Sequence, residues 1–210
     1  MVLGVDYQPF GQGADLDKAD PLSNATECLR DAALMQNLGV NTIRSYNLNP
    51  TLNHDECMSI FNSVGIYIIL DVNSPAANQH LDRSDPASTY TKAYLTHVFT
   101  MIEAFKNYPN TLAFFSGNEI MNDVESSMAN PPYVRALQRE MKSYIKNHAN
   151  RTIPVGYSAA DGKPLPMQVQ MSSLSNNIQS APSSKTPGHT CSATTPTTAA
   201  TTSPAPTSSA

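Results

Sequence analysis

One unit recurs along residues 2–158: a stretch with helical spacing of its apolar residues, then a short apolar run suited to a buried strand. In ECLRDAALMQNL, 27–38, the residues Cys28, Leu29, Ala32, Ala33, Met35 and Leu38 fall close to one helical stripe, and Gly39 follows as a stop. VNTIRSY, 40–46, then reads as a strand. HDECMSIFNSV, 54–64, is again helical in spacing and closes on Gly65 before the apolar run IYIILDV, 66–72. A helical stretch from about Thr89 to Asn107 precedes TLAFFSGNE, 111–119, and another from about Pro132 to His148 precedes TIPVGYS, 152–158. With VLGVDY at 2–7, five strands alternate with four helices.

Such alternation implies a parallel sheet, and strands apolar along their whole length imply burial on both faces. Two α/β architectures satisfy this, an open doubly wound sheet and a (β/α)8 barrel of the TIM type. No glycine-rich phosphate loop follows the first strand, where Tyr7, Gln8 and Pro9 stand instead, which weakens the nucleotide-binding form of the open sheet. Polar residues collect at the C-terminal end of every strand: Tyr7 and Gln8, Arg44 and Tyr46, Asp71 and Asn73, Asn118 and Glu119, then Tyr157 and Asp161. In barrels that end carries the active site, so the reading is a (β/α)8 barrel represented by its first five units.

The sharpest of these strand ends is AFFSGNEIMND, 113–123, an apolar strand that turns to Asn118 and Glu119 within three residues. A carboxylate at a barrel mouth is partly desolvated, which raises its pKa and fits it to donate a proton. The plain alternative is a loop cap or a partner for an arginine, and the polar cup around the strand end favours the acid. The neighbouring Asn amide suits a hydrogen bond to a sugar hydroxyl beside the reacting carbon.

All 17 acidic residues lie at or before Asp161, and only Lys163 and Lys185 of the 13 basic ones lie beyond it, so residues 1–161 carry a formal charge of −6. An acidic surface argues against a nucleic-acid partner. No apolar run approaches the roughly 20 residues of a membrane span, and the start MVLGVDYQPF reads as strand rather than signal peptide. The end, TSPAPTSSA, lacks the apolar tail of an anchor signal. His54, His80, His97, His148 and His189 show no ligand-like spacing, so no metal or other cofactor is expected, and most read as surface or capping residues. Met35, Met58, Met101 and Met141 read as core filling, Tyr67, Tyr94 and Tyr144 as packing, and DLDKAD at 15–20 as a solvated loop. Cys28, Cys57 and Cys191 permit either reduced thiols or one disulfide with a leftover. Asn24 and Asn150 head two sequons, which matter only in a secreted chain.

GVDYQP, CLRDAALMQNLGVNTIRSYNL, LNHDECMSIFNSVGIYIILDVNSP, AFKNYPNTLAFFSGNE and RTIPVGYSAAD together resemble glycoside hydrolase family 72, the fungal 1,3-β-glucanosyltransferases, and cover residues 2–161 almost continuously. The resemblance implies a secreted, usually GPI-anchored glycoprotein at the cell surface that remodels cell-wall β-1,3-glucan, with glucan donor and acceptor chains as its partners. By position, Glu119 matches the acid/base and Asn118 its neighbour at the reacting sugar. Gln8, Tyr46, Asp71 and the Asn73 to Leu81 loop match residues lining the glucan subsites, and Asp161 matches another glucan contact. Cys28 and Cys57 match a disulfide pair, which implies an oxidising compartment and makes the sequons at Asn24 and Asn150 relevant.

The implied chemistry is retaining transglycosylation. Such a site needs two carboxylates about 5 to 5.5 Å apart, and the residue matching the family's nucleophile is absent from this sequence. Asp71 is the nearest alternative, but the resemblance gives it a structural or subsite role. After Asp161 the family pattern stops. Residues 162–210 contain no acidic and no aromatic residue, and 26 of the 49 are Ser, Thr or Pro. That composition reads as a disordered or O-glycosylatable tail, or as translated intron or a shifted frame, which the abrupt break inside a barrel favours. Residues 1–161 are thus the N-terminal part of a barrel and 162–210 a separate segment. The chain reads as a glucanosyltransferase by lineage that is inactive alone; the alternatives are a non-catalytic glucan-binding or wall-associated fragment and a β-1,3-glucan hydrolase.

Overall fold

The computed structural model describes residues 1–11 and 20–161. Its core is five parallel strands, β1 (Gly4–Tyr7), β2 (Thr42–Ser45), β3 (Tyr67–Asp71), β4 (Thr111–Asn118) and β5 (Val155–Ser158), hydrogen-bonded in sequence order. Consecutive strands that neighbour each other in parallel need a crossover between them, and helices supply it. These are α1 (Ala25–Asn37), α2 (Asp55–Ser63), α3 (Pro86–Thr89), α4 (Lys92–Phe105), α5 (Val124–Ala129) and α6 (Pro131–His148). The five expected strands are all present, each within the span read from sequence, and the sheet follows the barrel order rather than the reversed order of a doubly wound fold.

The helix limits follow from local chemistry. Asn24 caps α1 by accepting from the backbone of Thr26 and Glu27, and Thr91 caps α4 by accepting from Tyr94. Gly39 (φ 73°) and Gly65 (φ 77°) lie in the left-handed region just past α1 and α2, where a side chain is disfavoured. The stretch expected as one helix from Thr89 starts later, because Asp85 and Pro86 open the separate turn α3 before Thr91 starts α4. The helix α5 precedes α6 and was not expected.

The sheet is buried by Ile43, Ile68, Leu70 and Phe114, against which Met58, Phe61, Met101, Phe105, Leu137 and Met141 pack from the helices. Met58, Met101 and Met141 are core residues as expected, and Met35 is half-buried. The stripe expected on α1 is corrected: Cys28 and Ala32 are buried, whereas Leu29 (61% exposed) and Leu38 (78%) face outward. The helix packs against α2 through its Cys28 edge, leaving the neighbouring edge uncovered among the described residues. Tyr67, expected to be packing, is half exposed at the start of β3.

Cys28 and Cys57 form a disulfide that ties α1 to α2, with Cα atoms 5.4 Å apart. The loop reading of 15–20 also needs correction at its end: Asp20 is buried, and its carboxylate accepts from the backbone of Leu22 (2.8 Å) and Asn49 (2.7 Å) and lies 3.1 Å from His54 Nε2. His54 is therefore a core group between Asp20 and Phe105, not a surface one. Residues 15–19, Cys191 and the segment 162–210 lie outside the described residues.

Candidate active site

The C-terminal ends of the strands open into one cleft of about 750 Å³. Gln8 after β1, Tyr46 after β2, Asp71 and Asn73 at the end of β3, and Asn118 and Glu119 at the end of β4 all line it, so six residues chosen from sequence converge there. The loop after β3 contributes Ser74, Pro75, His80 and Leu81. It is shaped by its own polar groups: Ser74 Oγ donates to Gln79 Oε1 at 2.6 Å, and His80 Nδ1 lies 3.1 Å from the carbonyls of both Ser74 and Ala76. Asp161 is exposed and is not among the cleft's lining residues. Its place three residues beyond the end of β5 carries it past the strand end.

The approach to Glu119 is built by a small residue. A Cβ on Gly117 would lie 2.3 Å from Ile120 Cδ1 and 3.1 Å from Asn73 Nδ2, so a side chain at 117 would force Ile120 to move. Glu119 itself has φ 50°, a left-handed conformation uncommon for a non-glycine residue, and its backbone N–H donates to the Ser158 carbonyl on β5 at 2.9 Å. The desolvation expected for its carboxyl is not observed: Glu119 and Asn118 are exposed to the cleft. The left-handed turn projects the side chain off the strand end instead of folding it between strands.

The cleft floor is organised by Arg44, which the choice of site residues from sequence omitted. Its Nη2 donates to Asp71 Oδ2 at 2.6 Å and to Asn118 Oδ1 at 2.9 Å. The guanidinium lies 4.3 Å from the Tyr46 ring centroid and 5.1 Å from that of Phe115. Tyr46 therefore has one face occupied by Arg44. Burial, then a hydrogen bond with Asp6, holds the Tyr46 hydroxyl in its protonated form well beyond the usual tyrosine range. Burial pushes the Asp71 carboxyl up to about 6 against the opposing pull of Arg44. Asp71 Oδ1 and Arg44 Nε are buried with no hydrogen-bond partner among the described residues.

Asn73 is held from below. Tyr94, fully buried on α4, donates its hydroxyl to Asn73 Oδ1 at 2.5 Å, and Asn73 Nδ2 donates to the Ser116 carbonyl at 3.4 Å. The packing role expected of Tyr94 thus carries a polar one. No group of three or more His, Cys, Asp or Glu side chains suited to a metal ion occurs among the described residues. No helix there is long and apolar enough to cross a membrane.

A parallel β/α sheet with a polar, carboxylate-bearing cleft at its strand C-termini defines a protein of the (β/α)8 barrel class whose site lies at the barrel mouth. The sequence profile of glycoside hydrolase family 72, described as glucanosyltransferase, matches residues 1–180, and the chain belongs to that family. It is 64% identical over 168 residues to the 1,3-beta-glucanosyltransferase gel2 of Aspergillus fumigatus, covering 80% of this chain and 35% of that protein. It is 56% identical over 184 residues to the probable 1,3-beta-glucanosyltransferase GAS3 of Saccharomyces cerevisiae, covering 84% and 35%. Among solved structures, Saccharomyces cerevisiae Gas2p in complex with laminaritriose and laminaritetraose superposes with a TM-score of 0.65 at 36% identity, covering 76% of this chain and 35% of that one. The chain thus spans about a third of the length of these relatives.

Proposed function

We propose that the cleft binds β-1,3-glucan and that its site serves retaining 1,3-β-glucanosyl transfer, with Glu119 as the acid/base. The observation that carries this is the Asn118–Glu119 pair at the end of β4, standing in one cleft with Gln8, Tyr46, Asp71 and Asn73 in a chain of this family. In such a reaction a carboxylate attacks the anomeric carbon to form a glycosyl-enzyme while the acid protonates the leaving oxygen. The same residue, now a base, takes the proton from the 3-hydroxyl of an incoming glucan. Glu119 fits that double duty because its carboxyl is exposed to the cleft at a backbone position fixed by Ser158. Asn118 supplies an amide beside the reacting sugar, and Tyr46 offers its free face to a pyranose ring.

By the family resemblance the nucleophile belongs to a strand later than β5. Asp71 is committed to Arg44 and buried, and residues 162–210 contain no Asp or Glu. This favours glucan binding without turnover by the 210-residue chain alone. Residues 1–161 act as the N-terminal part of the barrel, and 162–210 as a separate Ser/Thr/Pro-rich segment. The Cys28–Cys57 disulfide suits an oxidising compartment and supports a place at the cell surface, with GPI attachment following the family's habit. Asn24 and Asn150 are both exposed, and glycans on their Nδ2 atoms would leave the Asn24 oxygen free to cap α1. Incubating the chain with a reduced laminari-oligosaccharide and sizing the products tests the assignment. No longer products are expected from the chain alone, and elongation that persists in Glu119→Gln would overturn the role of Glu119.

A further inference from the structure

We infer that Arg44 is a positioning residue that fixes the Asn118 carboxamide with its oxygen inward and its Nδ2 toward the cleft, so that Asn118 meets substrate only as a hydrogen-bond donor. The inference deepens the glucan reading of this cleft and rests on it for the identity of the ligand. A guanidinium donates and never accepts. With Arg44 Nη2 2.9 Å away, the Asn118 amide presents its oxygen to it, since the reverse orientation would set N–H against N–H. Chemistry therefore assigns the amide orientation, which is otherwise a matter of inference for Asn side chains.

The geometry that holds Arg44 explains why it can do this. It rises from β2, crosses above β3 and reaches the end of β4, making both its bonds through Nη2: to Asp71 Oδ2 at 2.6 Å and to Asn118 Oδ1 at 2.9 Å. Its flat face lies against Tyr46 and Phe115, and its side chain is 15% exposed. A planar, charged group clamped between a buried carboxylate and two rings has little freedom to follow the amide if the amide turns. The Asn118 Nδ2 has no protein partner among the described residues. Its N–H groups are thus available to hydroxyl oxygens of a bound sugar. Lysine at this position would keep the charge and lose the span.

Two measurements on the full 210-residue chain test this. The first is a cycle of Arg44→Lys, Asn118→Ala and the double variant, read as affinity for a reduced laminari-oligosaccharide, with melting temperature recorded for each. Arg44→Lys is expected to weaken binding about five- to tenfold, the scale of one hydrogen bond, and to add nothing in the Asn118→Ala background. Equal losses in both backgrounds would make Arg44 a structural residue only and overturn the inference. Asn118→Asp sharpens it: a carboxylate can keep the Arg44 contact, so the melting temperature holds while the donor, and with it the affinity, is lost. Retained affinity in Asn118→Asp would equally overturn it. The second measurement needs no sugar. In spectra of chain with 15N-labelled asparagine, the Asn118 side-chain amide pair, identified by its loss in Asn118→Ala, is expected to shift in both Arg44→Lys and Asp71→Asn. An unmoved pair would overturn the positioning role even if the chain bound no glucan, an outcome that would refute the ligand assignment separately.

Discussion

The hydroxyl of Tyr94, on a helix behind the sheet, donates to Asn73 Oδ1 at the cleft across 2.5 Å. The bond joins a fully buried ring to a side chain that lines the candidate site, so the core and the cleft share one group. Tyr94→Phe removes the hydroxyl and little else. We expect a stability loss of about 1 kcal/mol, the net worth of one hydrogen bond, and weaker glucan binding because the Asn73 amide is released. Denaturant unfolding and a binding titration on the same variant check both.

Gly117 is closely packed just before the turn into Glu119. A methyl there would collide with Ile120 and crowd Asn73. Gly117→Ala is expected to lower stability by roughly 1 to 3 kcal/mol, the usual cost of overpacking, and to weaken binding with it. Pairing it with Ile120→Val, which shortens the offending side chain, should recover part of the stability, as read by melting temperature.

The disulfide closes a loop with a sequence separation of 29 residues between α1 and α2. Chain entropy puts the stabilisation from a loop of that size at about 3 to 4 kcal/mol. The Cys28→Ala, Cys57→Ala double variant is expected to unfold at correspondingly lower urea, and reduction of the wild-type chain should shift its midpoint in the same direction.

Asp71 couples the site to pH. Its carboxyl is pushed from 3.8 up to about 6, with burial outweighing Arg44 and with Asp6 adding to the rise. A group whose native pKa is raised binds its proton more tightly when folded, so its contribution to stability is full below the unfolded value and declines as pH rises through the native one. Between pH 3.8 and about 6, wild type should therefore lose stability relative to Asp71→Asn. Urea midpoints of the two chains across that window check the sign; a difference that is flat or of opposite slope would contradict it.

The alternation of helix and strand was legible in the sequence because Gly39 and Gly65 stop two helices where the apolar spacing also ends. Glu119, Asn118, Asp71, Asn73, Tyr46 and Gln8 were legible because a parallel sheet brings all its strand ends to one side. The short helices α3 and α5 were not, since four and six residues are too few for a period to show. The outward turn of Leu29 and Leu38 depends on where α2 sits, which helical spacing alone does not encode. Arg44 was visible as a polar strand end, yet its partners lie 27 and 74 residues away, and only strand order brings them within reach. The burial of Asp20 was not legible for the same reason: its pairing with His54 spans 34 residues.

The most direct test of the account is a calorimetric titration of the 210-residue chain with a reduced laminari-oligosaccharide, set beside a cello-oligosaccharide of the same length. Saturable binding of the β-1,3-linked sugar is expected, with markedly weaker binding of the β-1,4-linked one and a weakening of the former by about five- to tenfold in Asn118→Ala. Absence of binding by a chain shown to be folded, or equal binding of both sugars, would contradict it.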